Sequence, residues 1–234
     1  MQRSSVEVYV RPPKPSPAGS TEIKHGEKMA NLITIIIGVG LVGVVALLVY
    51  VLAIRPWYLR WGATDAEVER AMPGDDEIKG PTHVTTRAVT IRARPDEIWP
   101  WLVQMGYQRG GMYSYDGIDR LLGILDCPSA DRILPEFQHL EVGDVIPMGS
   151  GPSWPVKAIE PNRSLVLVIR ELGMEYTWSW GLYELDDEHT RLVLRIRTRL
   201  TKPLLIPLLH ISDPGAFLMT RKHLLGVKQR AEAS

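Results

Sequence analysis

The sequence lacks an excess of charge of either sign. Its 234 residues include 27 Lys and Arg and 27 Asp and Glu, so the formal net charge is zero at pH 7 with His neutral. A protein that binds nucleic acid normally carries a basic excess that neutralises phosphates. We therefore exclude nucleic acid as a partner. The length fits one folded domain with an appendage.

Cysteine is nearly absent, which excludes an internal disulfide framework. The single Cys127 precedes a proline and has no nearby His to orient it, so we do not expect a nucleophile there. No pair of histidines has ligand spacing with a third partner, as a zinc site requires. The sequence therefore predicts no metal and no cofactor. The histidines are His25, His83, His139, His189, His210 and His223.

Charged residues are also missing between Lys28 and Arg55, and residues 32–54 are almost wholly apolar. At ~1.5 Å per residue such a helix is ~35 Å long, which is enough to cross a ~30 Å hydrocarbon core. A cleavable signal peptide fits poorly, because the run is long and no A-x-A site follows it. We expect one transmembrane helix at 31–55 and a single-pass protein of a bacterial cell membrane. Basic residues balance on both sides and leave the orientation open.

The same segment matches the dinucleotide-binding pattern G-x-G-x-x-G at Gly38, Gly40 and Gly43. That fold requires a helix with a solvated face after the glycines. Residues 44–54 have no polar side chain except Tyr50. Glycines are common where apolar helices pack in lipid. We interpret the pattern as part of the membrane helix and not as a nucleotide site.

Two polar segments flank this helix. Residues 1–30 contain RPPKPSPAG and no apolar period, which predicts a disordered proline-rich tail. A docking peptide for a proline-binding partner is the alternative. Residues 56–82 form a connector, in which Thr64 and Glu67 predict a capping box and a short helix at 64–71.

The folded domain is expected at 83–234 and begins with an alternating segment. Arg87, Val89 and Ile91 share one side of residues 84–93, which predicts a half-buried strand. Pro95 then suits the first turn of a short helix. A second short helix follows near residue 116. Further strands are predicted at 145–148, 154–160, 164–170, 175–185 and 190–200.

The end of the chain predicts a helix. Two prolines break residues 201–212, so we expect neither a strand nor a long helix in that segment. Asp213 is predicted to cap a final helix with Pro214 at its first position. The apolar residues 204–211 are interpreted either as a loop that touches the membrane or gates a cavity, or as a buried connector.

This order of elements, with the segments P-x-x-I-W-P-W-L-V-Q-M-G and Y-S-Y-D, resembles bacterial members of the START/polyketide-cyclase superfamily (SRPBCC, helix-grip). The similarity covers about residues 63–232, through RILPEFQ…VGD, TRLVLR and LMTRKHLLGVKQRAE. It implies an α+β fold in which a curved antiparallel sheet grips a long C-terminal helix around an apolar cavity, here preceded by one transmembrane helix. The superfamily contains lipid carriers, hormone receptors and aromatase/cyclases, so the resemblance does not select an activity.

Five residues are candidates for lining this cavity: Tyr113, Tyr115, Asp116, Ser179 and Tyr183. The first three belong to the second helix and the loop before it, which the resemblance places at the cavity mouth. The last two share a strand face with Gly181, where small residues leave volume beside a phenol. The alternative is that these tyrosines tether loops to the sheet. No catalytic residue is identified.

Three arginines are candidates for contacting a membrane surface: Arg195, Arg197 and Arg199. If the preceding hairpin loop has an even number of residues, they stack on Tyr176, Trp178 and Trp180. With an odd number, the rings point into the core instead. The functional hypothesis is that the arginines bind anionic lipid headgroups. The alternative is a solvated sheet face.

Together these patterns predict a membrane-tethered START-like domain that binds a hydrophobic small molecule or lipid in an internal cavity. One alternative is a cyclase-like or dehydratase-like enzyme that uses cavity Tyr and Asp side chains as acid–base groups. The other is a non-catalytic structural or interaction module whose cavity is filled by its own side chains.

Overall fold

A computed structural model describes residues 11–12, 18–149, 151, 153–171 and 173–233 of this chain. The chain divides into two compact units, one ending at Ala53 and the other beginning at Ile54. The first unit contains helix α1 (Ala18–Val49), and a π-helical turn (Tyr50–Ile54) follows it. Half of the predicted tail, residues 1–10 and 13–17, lies outside the described residues.

The helix α1 begins earlier than the predicted start at residue 31. Residues 18–30 are therefore helical and do not belong to an extended tail. This segment contains Ala, Glu and Lys, which favour helix, and it continues directly into the apolar run. The helix Lys28–Leu59 is long and apolar enough to cross a membrane, a criterion that a signal sequence near the N-terminus also meets.

The second unit is built on a six-stranded antiparallel sheet with the strand order β1-β6-β5-β4-β3-β2. Each predicted strand is present, and its ends lie within two residues of the prediction. Because β1 pairs with β6, the first and last strands of the domain are neighbours. The strands are β1 (His83–Ile91), β2 (Val145–Ile146), β3 (Trp154–Glu160), β4 (Ser164–Glu171), β5 (Met174–Glu184) and β6 (Thr190–Leu200).

Five α-helices surround this sheet in the second unit as the structure describes it: α2 (Arg55–Leu59), α3 (Asp65–Glu69), α4 (Pro95–Val103), α5 (Asp116–Leu121) and α6 (Ile206–Ala231). The capping box of Thr64 and Glu67 is present at α3, as predicted. The long helix α6 packs mainly against β1 and α4. The fold is therefore α+β, a curved antiparallel sheet that grips a long C-terminal helix, and this prediction is confirmed.

The helix α6 begins seven residues before Asp213, at Ile206, so the prediction of an irregular segment capped by Asp213 is wrong. Pro207 fits the first turn, where its missing N–H has no cost. Pro214 falls inside the helix and removes one hydrogen bond. Asp213 is buried there, and its Oδ1 lies 2.9 Å from His83 Nε2, which ties this turn to β1.

The loop between β5 and β6 contains an odd number of residues. Glu184 pairs with Thr190, which leaves residues 185–189 in the loop. Trp178 consequently pairs with Ile196, and the tryptophans of β5 point into the core. The arginines of β6 take the opposite face of the sheet, because side chains alternate along a strand.

The outer face of the sheet is covered by the connector and is not a solvated surface. The side chain of Arg195 is 4% exposed, and its Nη1 donates a hydrogen bond of 2.6 Å to Asp75. It also donates to the carbonyls of Glu67 and Val68. Arg191 pairs with Glu67 at 2.7 Å. The arginines of β6 therefore hold the connector on the sheet.

We expect Arg195→Met to destabilise the domain by about 3–5 kcal/mol, because it leaves the connector carboxylate of Asp75 without its buried partner. Arg199→Met is the matched control, since that side chain is 48% exposed, and we expect a loss below about 1 kcal/mol. Denaturant unfolding of the full chain in a non-ionic detergent, followed by tryptophan fluorescence, measures both. Equal losses in the two variants would contradict the assignment.

Candidate functional site

The core side of the sheet carries a row of aromatic side chains on β3 and β5. The ring centroid of Trp154 lies 5.0 Å from that of Tyr176 and 5.3 Å from that of Trp178. The Trp178 and Trp180 centroids are 4.6 Å apart. Alternate residues of β5 share one face, so the rings form a continuous surface. We call these four residues the aromatic floor.

Tyr176 and Trp178 border an internal space. Protein atoms surround the Tyr176 phenol, and this burial raises its pKa. Both residues nevertheless keep surface that a water-sized probe reaches. A ring can be surrounded by protein atoms and still be accessible if it faces a hollow inside the domain, and we interpret the two rings in this way. The buried Nε1 of Trp178 has no hydrogen-bond partner among the described residues.

The helix α6 leaves this hollow open on its side because it packs toward β1 and α4. Asp213, Phe217 and Thr220 are buried on the face of α6 that meets the domain. Ala216 is three residues after Asp213 and four before Thr220, so it lies on the same helical face. Ala216 is nevertheless exposed. From these exposures we infer a groove between the first half of α6 and the aromatic floor, and we use the word groove for the space that Tyr176, Trp178 and Ala216 would line.

One end of the groove carries the buried charge of Arg87. This residue is 2% exposed on the inward face of β1. Its Nε donates a hydrogen bond of 3.0 Å to the Tyr58 carbonyl, and its guanidinium carbon lies 5.4 Å from the centre of the Phe217 ring. Burial lowers the pKa of Arg87 to about 10, against opposing effects of Tyr176 and Asp213. The side chain therefore remains protonated at neutral pH.

A polar corner joins α2, β1 and α6 beside Arg87. Its members are Arg55, His83, His210 and Asp213. Arg55 Nη2 lies 3.6 Å from Asp213 Oδ2 and 3.1 Å from His210 Nδ1. This is an ion-pair network that fastens three elements. Within the described ranges, no group of three His, Cys, Asp or Glu residues is arranged to hold a metal.

His223 fills the groove's other end with a neutral imidazole. Its Nδ1 lies 2.8 Å from the Met112 carbonyl, which can only accept, so Nδ1 carries the proton. Its Nε2 accepts a hydrogen bond of 3.1 Å from Trp180 Nε1. Burial lowers the pKa of His223 to about 4, although the Met112 bond opposes this effect. The imidazole therefore acts as a fixed structural link between α6 and the floor.

The loop candidates Tyr113, Tyr115 and Asp116 do not meet at a common mouth. Tyr113 is buried in the core, where its ring stacks on His223 at a centroid distance of 6.4 Å. Tyr115 is exposed on the outside. Both oxygens of Asp116 accept hydrogen bonds from Ser129, at 2.7 and 2.9 Å. This geometry gives Tyr113 and Asp116 the role of tethering the loop, the alternative that the sequence left open.

The strand candidates Ser179 and Tyr183 share a face, as the sequence indicates, but it is the outer face of the sheet. Ser179 Oγ donates a hydrogen bond of 2.7 Å to the carbonyl of Pro73 in the connector. The Arg70 guanidinium carbon lies 3.6 Å from the centre of the Tyr183 ring. Neither side chain lies on the face of the aromatic floor, and Tyr183 instead lines an open cleft of about 570 Å³ with Arg70 and Pro73. The odd loop is the reason, because it sends the tryptophans inward and these residues outward.

The three arginine candidates differ in exposure. Arg195 is bound to the connector and is not available to a membrane surface. Arg197 lies 3.4 Å from Asp75 and donates to the Ile78 carbonyl. Arg199 is the most exposed of the three. Arg195 therefore does not support the hypothesis that this face binds anionic lipid headgroups.

The groove residues Arg87, Tyr176, Asp213 and His223 were not among the predicted site residues. The sequence did contain a signal for Arg87, because this residue lies on the same side of the predicted strand as the apolar Val89 and Ile91. A charged residue on the buried face of a strand is rare unless it has a partner or a role. The other three depend on where α6 lies, which no local pattern indicates.

Clefts elsewhere on the domain are open and polar. Two of about 910 and 570 Å³ lie at the far end of the sheet and share Pro95, Asn162, Arg163 and Glu184. A third of about 510 Å³ is lined by Tyr113 and Asp116 on the outside of the α5 loop. Ligand sites are usually concave and mostly apolar, so we place the candidate site in the groove.

No protein-family model matches this chain, and no curated protein matches it. Solved structures do. A protein from Mesorhizobium loti is 14% identical, with a TM-score of 0.39, over 65% of this chain and 98% of that one. CalU16 from Micromonospora echinospora is 15% identical, with a TM-score of 0.32, over 64% and 84%. A Thalictrum norcoclaurine synthase mutant is 14% identical, with a TM-score of 0.37, over 63% and 96%. We draw no functional argument from similarities this distant.

We expect the domain to lose up to about 3 kcal/mol of stability as the pH falls from about 6.5 to about 4 because of His223. Above that window His223 is neutral in both states. Within it, the unfolded chain binds a proton that the folded protein does not, so acid favours unfolding. His223→Gln keeps a donor and an acceptor and should flatten this dependence in denaturant unfolding at several pH values. His189→Gln, an exposed control, should retain it, and an unchanged slope in His223→Gln would refute the assignment.

Proposed function

We propose that this protein binds a hydrophobic small molecule or lipid in the groove between α6 and the aromatic floor, and that its N-terminal helix tethers the domain to a membrane. One observation carries the proposal. The Tyr176 phenol is surrounded by protein atoms, Tyr176 and Trp178 are both still accessible, and Ala216 is exposed on the same face of α6 as the buried Asp213 and Thr220. A side chain with that combination lines a space that a ligand can enter.

The chemistry of the aromatic floor supports an apolar ligand. Aromatic side chains provide large apolar contact areas and have few rotatable bonds, so they lose little conformational entropy when a ligand binds. The indole N–H of Trp178 lacks a partner among the described residues, and buried indole N–H groups usually have one. This N–H is sealed from a water-sized probe, so the accessible ring surface, and not the N–H, is what an apolar ligand would contact.

Apolar residues outside the groove support the membrane tether. Leu204, Leu208 and Ile211 are exposed at the beginning of α6. Trp57, at the end of the apolar helix Lys28–Leu59, is also exposed while it packs edge-on against Phe217. Tryptophan is enriched at membrane interfaces, where its ring is partly apolar and partly wet. A tethered domain would hold its groove close to a source of lipid.

The enzyme alternative has less support. It relied on Asp116 and cavity tyrosines as acid–base groups, but Asp116 is held by Ser129 in a loop tether. General acid–base catalysis needs a polar pair that converges on the ligand. The alternative of a filled interior describes the His223 end of the domain, where Trp180 is fully buried, but not the part beside Tyr176.

The test is to fill the groove. We expect Ala216→Trp to weaken the binding of a dansyl-labelled fatty acid methyl ester by more than about tenfold, because the new ring occupies the space that the probe needs. Leu218→Trp is the matched control, since Leu218 is exposed on the same helix, and should bind like the wild type. The full chain is held in a non-ionic amphipathic polymer, and dansyl fluorescence reports binding.

Two outcomes would contradict the proposal. The first is a wild-type protein that binds no ester and releases no apolar ligand in native mass spectrometry. The second is equal probe affinity in both tryptophan variants, which would place the probe outside the groove.

A further inference from the structure

Arg87 carries a buried positive charge that forms no ion pair with a carboxylate of the described residues, although Asp213 acts on it electrostatically. Among the described residues its one hydrogen bond runs from Nε to the Tyr58 carbonyl, and no Asp or Glu lies within ion-pair distance. Neither Nη atom has a hydrogen-bond partner in that part of the chain, and neither is sealed from a water-sized probe. Two nitrogens of the guanidinium therefore still have donors available.

These donors lie at the end of the groove. Arg87 is on the inward face of β1, and its charge acts on the Tyr176 phenol of the aromatic floor. Phe217, on the inward face of α6, covers the guanidinium from the other side. The charge is thus placed between the sheet and α6, where an apolar molecule on the floor would end.

The nearby Asp213 does not supply the missing negative charge. Its Oδ1 is taken by His83, and its Oδ2 faces Arg55 and His210. Asp213 therefore acts on Arg87 electrostatically but forms its ion pairs with other residues. A buried ion without a partner is far more costly than a paired one, so a bound anion would stabilise this region.

Two hydroxyl groups on the same sheet face also lack partners. Thr85 Oγ1 and Thr198 Oγ1 are buried and make no hydrogen bond among the described residues. Thr198 lies on β6 between His83 of β1 and Tyr176 of β5. Most buried polar atoms in native proteins are hydrogen-bonded, and an exception marks a missing partner or an ion.

We propose that Arg87 binds the carboxylate of the ligand, so that the molecule in the groove is an acidic amphiphile with its apolar part on the aromatic floor. This inference rests on the proposed function and adds the chemical class of the ligand. A guanidinium presents two parallel N–H donors that match the two oxygens of a carboxylate. The Thr198 hydroxyl lies on the same sheet face but is sealed from a water-sized probe, so the assignment depends on the two Nη donors of Arg87. A neutral lipid would leave all of these donors without partners.

The test compares a dansyl-labelled fatty acid with its methyl ester, which differ in the charged group alone. With the full chain in a non-ionic amphipathic polymer at neutral pH, we expect the acid to bind at least about tenfold more tightly. Arg87→Met should reduce the affinity for the acid to that for the ester and leave the affinity for the ester unchanged. Arg199→Met removes the same charge from the outer face and should keep the preference.

A second variant covers the case in which Arg87→Met does not fold. Arg87→Lys keeps the charge but loses the paired donors, and we expect several-fold weaker binding of the acid with unchanged binding of the ester. An unchanged affinity of Arg87→Lys for the acid would overturn the assignment. A preference for the acid that survives in folded Arg87→Met would overturn it as well.

The failures of the two proposals can be distinguished. If neither probe binds the wild-type protein, the groove itself is refuted. If acid and ester bind the wild type equally, the groove stands and the carboxylate site is refuted.

Discussion

The five residues 185–189 between β5 and β6 control the character of both faces of the sheet. Their odd number pairs Trp178 with Ile196, so the rings of β5 point inward and the arginines of β6 point outward. A shift of one residue would exchange the two sets, because side chains alternate along a strand. The aromatic floor, the attached connector and the groove all depend on this one register.

Two buried arginines, one on each face of the sheet, differ in how many hydrogen-bond partners they have. On the outer face, Arg195 is bonded to Asp75 and to several connector carbonyls. The donors of Arg195 therefore have partners within the protein, and its role is structural. On the inner face, Arg87 has one bond to a carbonyl and free donors beside an accessible hollow. Because burying an unpaired charge is costly, this contrast is the basis for the carboxylate site that we propose at Arg87.

Elements that depend on neighbouring residues were predictable. The alternating pattern of β6 and the capping box of Thr64 and Glu67 are local, and both are present in the structure. The start of α6 was not predictable, because Pro203 and Pro207 argue against a helix in this segment, whereas in the structure the packing of Asp213 against β1 supports it. Tyr113 and Ser179 were singled out by residue type, but each is tied into a structural contact.

By itself, the sequence determined the apolar N-terminal helix and the order of the strands along the chain, because these follow from hydropathy and periodicity, while the helix-grip class was implied by the resemblance to the START/polyketide-cyclase superfamily. The tertiary structure alone decided which sheet face is covered by the connector, which way the rings of β5 point, and that Arg87 forms no ion pair among the described residues. Each of these is set by contacts between residues far apart in the chain, as between Arg87 and Tyr58 or between His83 and Asp213. Such distances in sequence carry no periodic signal, so the site is defined only when the chain has folded.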